Sequence, residues 1–315
     1  MRLLRGLHNI PADFQGCAAT IGNFDGLHIG HQAIIRSLKQ ISAAQGVPTL
    51  VMLFEPQPKE FFAPDAAPAR LANLREKLQD LAAEGVDYVL CLPFNQTLRS
   101  MSADAFIQNI LISALRIRHL IVGDDFRFGC DRSGDYQALA AAGVAHGFAV
   151  QDTPTLEFDS ERVSSTRIRS ELTANNLSRA AHMLDRPYRM SGRVMFGRQL
   201  GRQLDTPTAN IMVRRRKLPL SGVFAVRATL EETGQVVTGV ANLGVKPTIS
   251  GDAQPSLEVH AFDFAGDLYY RHLTVEFLHK IRDEQKFPGI DALRAAIEND
   301  KQAARDYFAA INESE

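Results

Sequence analysis

Apolar positions follow two rhythms along this chain, and the change between them falls near residue 185. Before it, short continuous apolar runs at 17–21, 49–54, 88–92, 120–122 and 149–150 read as buried strands. Between them lie segments of helical spacing. Ala33, Ile34, Ile35, Leu38 and Ile41 form one face, and Leu71, Leu74, Leu78 and Leu81 another. Residues 105–115 follow Ser102, an N-cap candidate, and 136–142 make a further helix. Strand–helix alternation of this kind predicts a parallel sheet flanked by helices, with ligands at the carboxyl ends of the strands.

A last amphipathic helix with Leu177, Ala180, Ala181 and Leu184 is stopped at Arg186-Pro187. The apolar period then drops to two. Runs at 190–195, 208–213, 223–230, 236–243, 257–262 and 273–278 read as strands, broken by turn signals such as Glu231-Glu232-Thr233-Gly234 and Ala265-Gly266-Asp267. Six short strands with hairpin spacing predict a small antiparallel barrel. Residues 290–311 carry Leu293, Ala296, Ile297, Ala304, Phe308 and Ile311 at helical spacing, a C-terminal helix packing on that barrel. The expected domains are 1–185 and 186–315.

Composition narrows the class. A length of 315 residues suffices for two cores, and 45% hydrophobic with 23% charged residues describes a globular chain. A net charge of −1 gives no overall attraction to nucleic acid or an anionic membrane. The run Arg214-Arg215-Arg216-Lys217 is expected to be a solvated loop. No apolar stretch approaches the ~18 residues of a membrane span, and no secretory leader stands at the N-terminus, so the cytoplasm is expected. Cys17, Cys91 and Cys130 are isolated, without CxxC spacing, and read as reduced core thiols; no Cys/His pattern suggests zinc.

Three stretches of the first half carry candidate chemistry. Gly22-Asn23-Phe24-Asp25-Gly26-Leu27-His28-Ile29-Gly30-His31 joins a strand to a helix, where backbone N–H groups and the dipole favour an anion. His28 and His31 are three apart and can project toward one phosphate. After the fourth expected strand, Gly123-Asp124-Asp125-Phe126-Arg127-Phe128-Gly129 puts two acids, an arginine and two aromatic rings between glycines. Such rings can wall in a flat ligand. Arg162-Val163-Ser164-Ser165-Thr166-Arg167-Ile168-Arg169 opens a helix; its hydroxyls can cap the helix or, with the guanidinium groups, hold an anion. A fourth stretch, Phe54-Glu55-Pro56-Gln57-Pro58-Lys59-Glu60-Phe61-Phe62, is expected to be extended and non-helical because of its prolines.

In the second half, a loop with Gly192, Gly197 and Gly201 precedes Asp205-Thr206-Pro207-Thr208-Ala209-Asn210. Thr208 and Asn210 are two apart on a strand and share a face, where a hydroxyl and an amide oxygen suit a hard cation such as Mg²⁺ bridging nucleotide phosphates. Glu258 shares a face with His260 and Phe262; the residues alone leave it either at solvent or as a general base.

The first stretch resembles the HxGH motif of the nucleotidyltransferase superfamily, and its Asn-Phe-Asp-Gly lead-in resembles the bacterial bifunctional riboflavin kinase/FAD synthetases. Residues 162–169 are similar to that superfamily's I-S-S-T-x-x-R motif, with Val163 for isoleucine. The later run Gly192…Gly197…Gly201…Pro207-Thr208-Ala209-Asn210, Gly239-Val240-Ala241-Asn242-Leu243-Gly244 with Pro247-Thr248, and Leu257-Glu258-Val259-His260 looks like the riboflavin kinase domain. The resemblance implies a Rossmann-like nucleotidyltransferase domain followed by a six-stranded barrel. It implies phosphorylation of riboflavin by ATP to FMN, then adenylylation of FMN to FAD with release of pyrophosphate. Carried over, His28 and His31 serve adenylyl transfer, and Gly22, Asn23, Asp25, Gly30, Arg162, Ser165, Thr166 and Arg169 bind ATP. Phe54, Pro56, Phe62, Asp125, Phe126 and Phe128 face the flavin, as does Arg282. Gly192, Gly197, Gly201 and Pro207 bind the kinase nucleotide, Thr208 and Asn210 serve Mg²⁺-ATP, and Glu258 activates the ribityl hydroxyl. The chain departs from the family in carrying Asp205-Thr206 where Gly-Phe is usual, a change that removes no proposed catalytic group. Two alternatives stand beside the bifunctional reading: only one activity is retained, the kinase being the one that Asp205-Thr206 would affect, or the chain is a flavin-binding regulator without turnover, against which His28, His31, Thr208, Asn210 and Glu258 all argue.

Overall fold

The structure, a computed structural model, describes residues 1–123, 125–153, 156–197, 206–247 and 253–313. Asp124, Gly201, Asp205 and Thr248, singled out above, lie outside the described residues. The chain forms two compact units, Met1–Pro68 with Lys77–Ser164, and Ala69–Glu76 with Ser165–Glu315. The compact division at Ser164/Ser165 therefore precedes the change of apolar period near 185, and it gives a short stretch of the first half to the second unit.

The first unit is a six-stranded parallel sheet in the order β1-β4-β3-β2-β5-β6. Its strands are β1 (Arg2–Arg5), β2 (Ala18–Ile21), β3 (Thr49–Glu55), β4 (Tyr88–Pro93), β5 (His119–Val122) and β6 (Ala149–Asp152). Strand β1 is an edge strand with two exposed arginines, too short and polar for apolar periodicity to reveal. From β2 the chain first builds toward β3 and β4, then returns to place β5 on the other side of β2. The crevice at the carboxyl ends of β2 and β5 is thus the point where the strand order reverses, the usual place for a ligand in an open parallel sheet.

Helix α1 (Ile29–Gln45) is capped at its start by His28 and stopped by Gly46 in the left-handed conformation. Its Leu38 packs on Ala18 and Ile121 of the central strands. Residues 54–62 differ from the extended segment expected: Pro58 opens a short helix, α2 (Pro58–Phe62). Proline lacks only an N–H that the first helical turn leaves unpaired anyway, so at that position it starts a helix rather than preventing one. Helix α3 (Leu74–Ala83) begins three residues later than its apolar spacing suggests. Asn73 caps it, accepting from Glu76 N at 3.0 Å while Glu76 Oε2 accepts from Asn73 N at 2.7 Å. A single turn, α4 (Gln96–Arg99), precedes α5, which runs from Ala103 to Ala105 behind the expected cap Ser102 and continues as a π-helix over Phe106–Ala114. Helix α6 (Tyr136–His146) and a two-residue hairpin, β7 (Glu157–Phe158) with β8 (Glu161–Arg162), complete this unit.

The second unit opens with α7 (Ser165–Thr173) and α8 (Leu177–Leu184). Six strands then close a barrel in the order β10-β13-β12-β11-β14-β9. They are β9 (Tyr188–Met195), β10 (Ala209–Ile211), β11 (Gly222–Leu230), β12 (Val236–Pro247), β13 (Ala253–Ala261) and β14 (His272–Arg282). Phe224, Val226, Leu243, Leu257, Val259, Val275 and Phe277 are buried, and a barrel of this size is filled by such side chains. On the opposite face Val223, Ala225, Val240 and Phe262 pack with Ala304 of the C-terminal helix α9 (Ile290–Asn312).

Two expectations change here. The basic run 214–217 is not a solvated loop throughout. The Arg215 side chain is wholly buried against the Glu76 carboxylate, at 2.5 Å, because a carboxylate from the excursion 69–76 is there to balance it. Cys17 and Cys91 are buried, as expected of core thiols, whereas Cys130 is only half-buried, in a turn after Gly129 rather than in a strand.

Candidate functional site

In the first unit, a cavity of about 850 Å³ opens at the strand-order reversal. Gly22 and Asn23 after β2, Phe54 at the end of β3, and Asp125, Phe126 and Phe128 after β5 all line it, as does Phe62 of α2. All seven of these positions come from three separate stretches of sequence, so the fold brings the expected residues together; Pro56 is not among the walls. The walls pair flat apolar surface with cations. Phe126 and Phe128 stack at 5.6 Å and 17°, and Phe54 meets Phe94 edge-on at 5.9 Å. Arg99 lies over the Phe62 ring at 5.4 Å, and Lys59, Arg127 and Arg132 add positive charge at the same cavity. A planar aromatic ligand bearing phosphate matches that combination. Sequence reasoning misses Phe94, Phe106 and Arg99. Phe94 directly follows an apolar run at a carboxyl strand end, a signal that could have found it.

The turn before α1 is tighter than its glycines alone suggest. Phe24 and Leu27, both buried, sit at φ 44° and 45°, in the left-handed region that bulky residues avoid. Strain of roughly 1–3 kcal/mol at each is the kind of distortion a site tolerates when surrounding packing enforces it. Asp25 is buried in the same turn. His28 Nδ1 accepts from His31 N at 3.4 Å, which puts the proton of the neutral ring on Nε2. Gly30 permits this: a Cβ there would come within 3.1 Å of His28 Nδ1.

The two imidazoles stack at 3.7 Å and 18°, with Phe24 against His31 at 4.8 Å. His31 Nδ1 is buried without a hydrogen-bond partner. Burial, the adjacent His28 and then the cation of Lys77 hold the proton affinity of His31 well below that of a free histidine. The pair is therefore brought together as expected, but His31 is neutral and the rings are not among the residues lining the cavity. Arg162 lies exposed on β8. Ser165, Thr166 and Arg169 belong to α7 of the second unit, where Arg169 Nε donates to Ala69 O at 2.6 Å.

In the barrel, a second cavity of about 320 Å³ is lined by Gly197, Pro207, Thr208 and Asn210, together with Asp267 and Tyr269 of the β13–β14 connection. Thr208 immediately precedes β10, shorter than the strand 208–213 expected, and still shares the cavity with Asn210. Glu258 pairs in register with Asn210 on one side and with Asn242 on the other. Directly opposed residues of antiparallel strands share a face, so Asn210, Glu258 and Asn242 form one polar row across β10, β13 and β12. Asn242 Nδ2 donates to Glu284 Oε1 at 3.4 Å, which brings a second carboxylate to that row.

His260 bonds through Nδ1 to Pro207 O at 2.9 Å, fixing the residue before Thr208. Burial lowers its proton affinity, outweighing that bond. Gly192 lies in β9 and is not part of the cavity wall. Arg282 makes a two-pronged ion pair to Asp300, both contacts at 2.7 Å, and lies over Phe287; the structure commits it to the C-terminal helix rather than to either cavity. Sequence reasoning gives no role to Asn242, Glu284 or Tyr269; Asn242 lies in a stretch that resembles the kinase domain, and strand register places it beside Glu258.

The oxygen donors Thr208 and Asn210 suit a hard cation but supply two ligands, so nucleotide oxygens and water would have to complete its shell. Among the described residues no three His, Cys, Asp or Glu side chains cluster to hold a metal.

A family model described as FAD synthetase matches residues 10–167, and one described as riboflavin kinase matches residues 184–308. The chain is 53% identical over 305 residues to a bifunctional riboflavin kinase/FMN adenylyltransferase of Pseudomonas fluorescens, with 97% of each chain covered. It is 47% identical over 309 residues to the one of Escherichia coli (strain K12), covering 98% of each. Among solved structures it is similar to the crystal structure of a macrolide-efflux protein from Streptococcus pneumoniae, at TM-score 0.80 and 28% identity over 96% of this chain and 98% of that one.

Proposed function

Because this chain belongs to the bifunctional riboflavin kinase/FMN adenylyltransferase family, it phosphorylates riboflavin and adenylylates FMN, and we propose that the residues gathered above divide those reactions between the two cavities. The observation that carries the division is the grouping of residues. Aromatic walls with a cationic rim surround the first cavity, and an Asn–Glu–Asn row adjoins the second. The functional boundary stays near residue 185, supported by the family models ending at 167 and beginning at 184.

In the first unit, an FMN phosphate oxygen attacks the α-phosphorus of ATP, a bond to AMP forms, and pyrophosphate leaves. Phe54, Phe62, Phe126 and Phe128 hold the isoalloxazine, and Asp125 with Asn23 orients the polar groups. His28 and His31 stabilise charge on the transferring and leaving phosphates. His31 is neutral before substrate arrives, so it serves as a hydrogen-bonding group whose proton affinity rises as polyphosphate approaches. Arg162 holds the departing pyrophosphate, and the resemblance of residues 162–169 to the I-S-S-T-x-x-R motif is what supports assigning Ser165, Thr166 and Arg169 to ATP.

In the second unit, Glu258 accepts the proton of the ribityl hydroxyl while that oxygen attacks the γ-phosphorus of ATP, and ADP leaves. Thr208 and Asn210 would hold Mg²⁺ with the nucleotide phosphates, where it neutralises developing charge. Asp205-Thr206 removes none of these groups. The substrates are then riboflavin, ATP and FMN, the final product is FAD, and the expected compartment is the cytoplasm, supported by three unpaired cysteines.

The Streptococcus protein's name would suggest drug export. Among the described residues no helix is long and apolar enough to cross a membrane, and the far closer, full-length likeness to the flavin enzymes supports the reading above. The test of the kinase assignment is FMN formation by Glu258→Ala and Asn210→Ala. Loss of at least about a hundredfold is expected of a general base and a smaller loss of Asn210; near wild-type rates in both would refute it.

A further inference from the structure

Thr208 and Asn210 stand at one end of a strand pair that is short on ladder contacts. Strand β10 has three residues, pairing with β9 at Asn210↔Met195 and Ile211↔Val194, and one further backbone bond, from Met212 N to Arg193 O at 3.0 Å, continues the pair. Gly197 leaves β9, and Thr208 enters β10, at the cavity end of this pair. The other end is tied to a single carboxylate. Glu76 Oε1 accepts from Ser191 N of β9 at 2.6 Å, and Glu76 Oε2 accepts from Arg215 Nη2, four residues beyond β10, at 2.5 Å.

The Arg215 side chain is fully buried and Glu76 nearly so. Arg215 also donates to Leu71 O at 3.0 Å and Arg70 O at 3.3 Å, and the Tyr188 hydroxyl of β9 donates to Leu71 O at 3.1 Å. Arg75 pairs with Glu231 at 2.7 Å. Residues 69–76 are thus built into the barrel unit through charge, although the sequence and the family match place them in the adenylyltransferase half.

We propose that Glu76 is a positioning residue of the riboflavin kinase reaction, clamping β9 and β10 so that Thr208 and Asn210 meet the nucleotide. Beyond Met212 the two segments share no further ladder pair among the described residues, and the Glu76 carboxylate joins Ser191 of β9 to Arg215 there. A buried carboxylate shared by Ser191 N and a fully desolvated guanidinium holds that end of the pair. Removing its charge leaves Arg215 buried without its anion, which loosens the pair rather than merely weakening one bond. The proposal rests on reading the barrel cavity as the kinase nucleotide site.

The test uses full-length Glu76→Gln, with Glu76→Asp as the charge-keeping control and thermal unfolding followed for both. Glu76→Gln should raise KM for ATP in riboflavin phosphorylation at least about fivefold, keep KM for riboflavin within about twofold, and let Glu76→Asp recover part of the loss. Amide exchange of residues 191–195 and 209–213 should rise at least about tenfold in Glu76→Gln, a readout independent of turnover. Unchanged protection there, or a lost rate with unchanged KM that merely tracks the unfolded fraction, would overturn the proposal. Faster exchange in a protein whose wild type makes no FMN would instead overturn the kinase reading and leave the clamp standing.

Discussion

His31 is the residue where environment matters most. Its ring is stacked on His28 and its Nδ1 is buried without a partner, so the folded protein keeps it neutral where an unfolded chain would protonate it near pH 6.5. The sign follows from that lowered proton affinity. The stability it contributes is present above about pH 6.5 and is lost as pH falls below it, at about 1.4 kcal/mol per pH unit. Urea unfolding at pH 7 and pH 5.5 should therefore show a fall in stability that is shallower by about 1 kcal/mol in His31→Gln than in the wild type. Equal slopes would mean that folding does not lower the proton affinity of His31. The pairing of His28 with His31 was legible in the spacing of the motif. The stacking, and the left-handed Phe24 and Leu27 in the same turn, were not, because backbone strain leaves no mark on composition.

At the scale of the element, strand and helix order could be read from apolar rhythm nearly throughout, since each rhythm reflects one face turned to a core. It fails where local chemistry overrides it. Pro58 starts α2 because the first turn needs no N–H there, and Asn73 delays α3 by capping at Leu74. Register, which places Asn242 beside Glu258, depends on strand pairing that no single segment encodes. The approach to β10 yields a sharp prediction. A Cβ on Gly197 would lie 2.3 Å from Asn210 Nδ2, so Gly197→Ala must displace that amide. FMN formation should fall about tenfold, chiefly through a higher KM for ATP, while FAD formation from supplied FMN continues. Kinetics of the two half-reactions check it.

For the whole molecule, the sequence shows two domains and the reaction each resembles. It does not show that residues 69–76 belong to the barrel unit, because the partner charges Glu76 and Arg215 are 139 positions apart. A basic run next to a barrel looks like a solvent face until its buried counter-ion is known. The central claim is that one chain carries two separable chemistries in two cavities. It is tested most directly by supplying His28→Ala/His31→Ala protein with riboflavin, ATP and Mg²⁺ and following flavins by chromatography. FMN should accumulate at close to the wild-type rate with no FAD formed. FAD at the wild-type rate, or neither flavin from a folded variant, would contradict it.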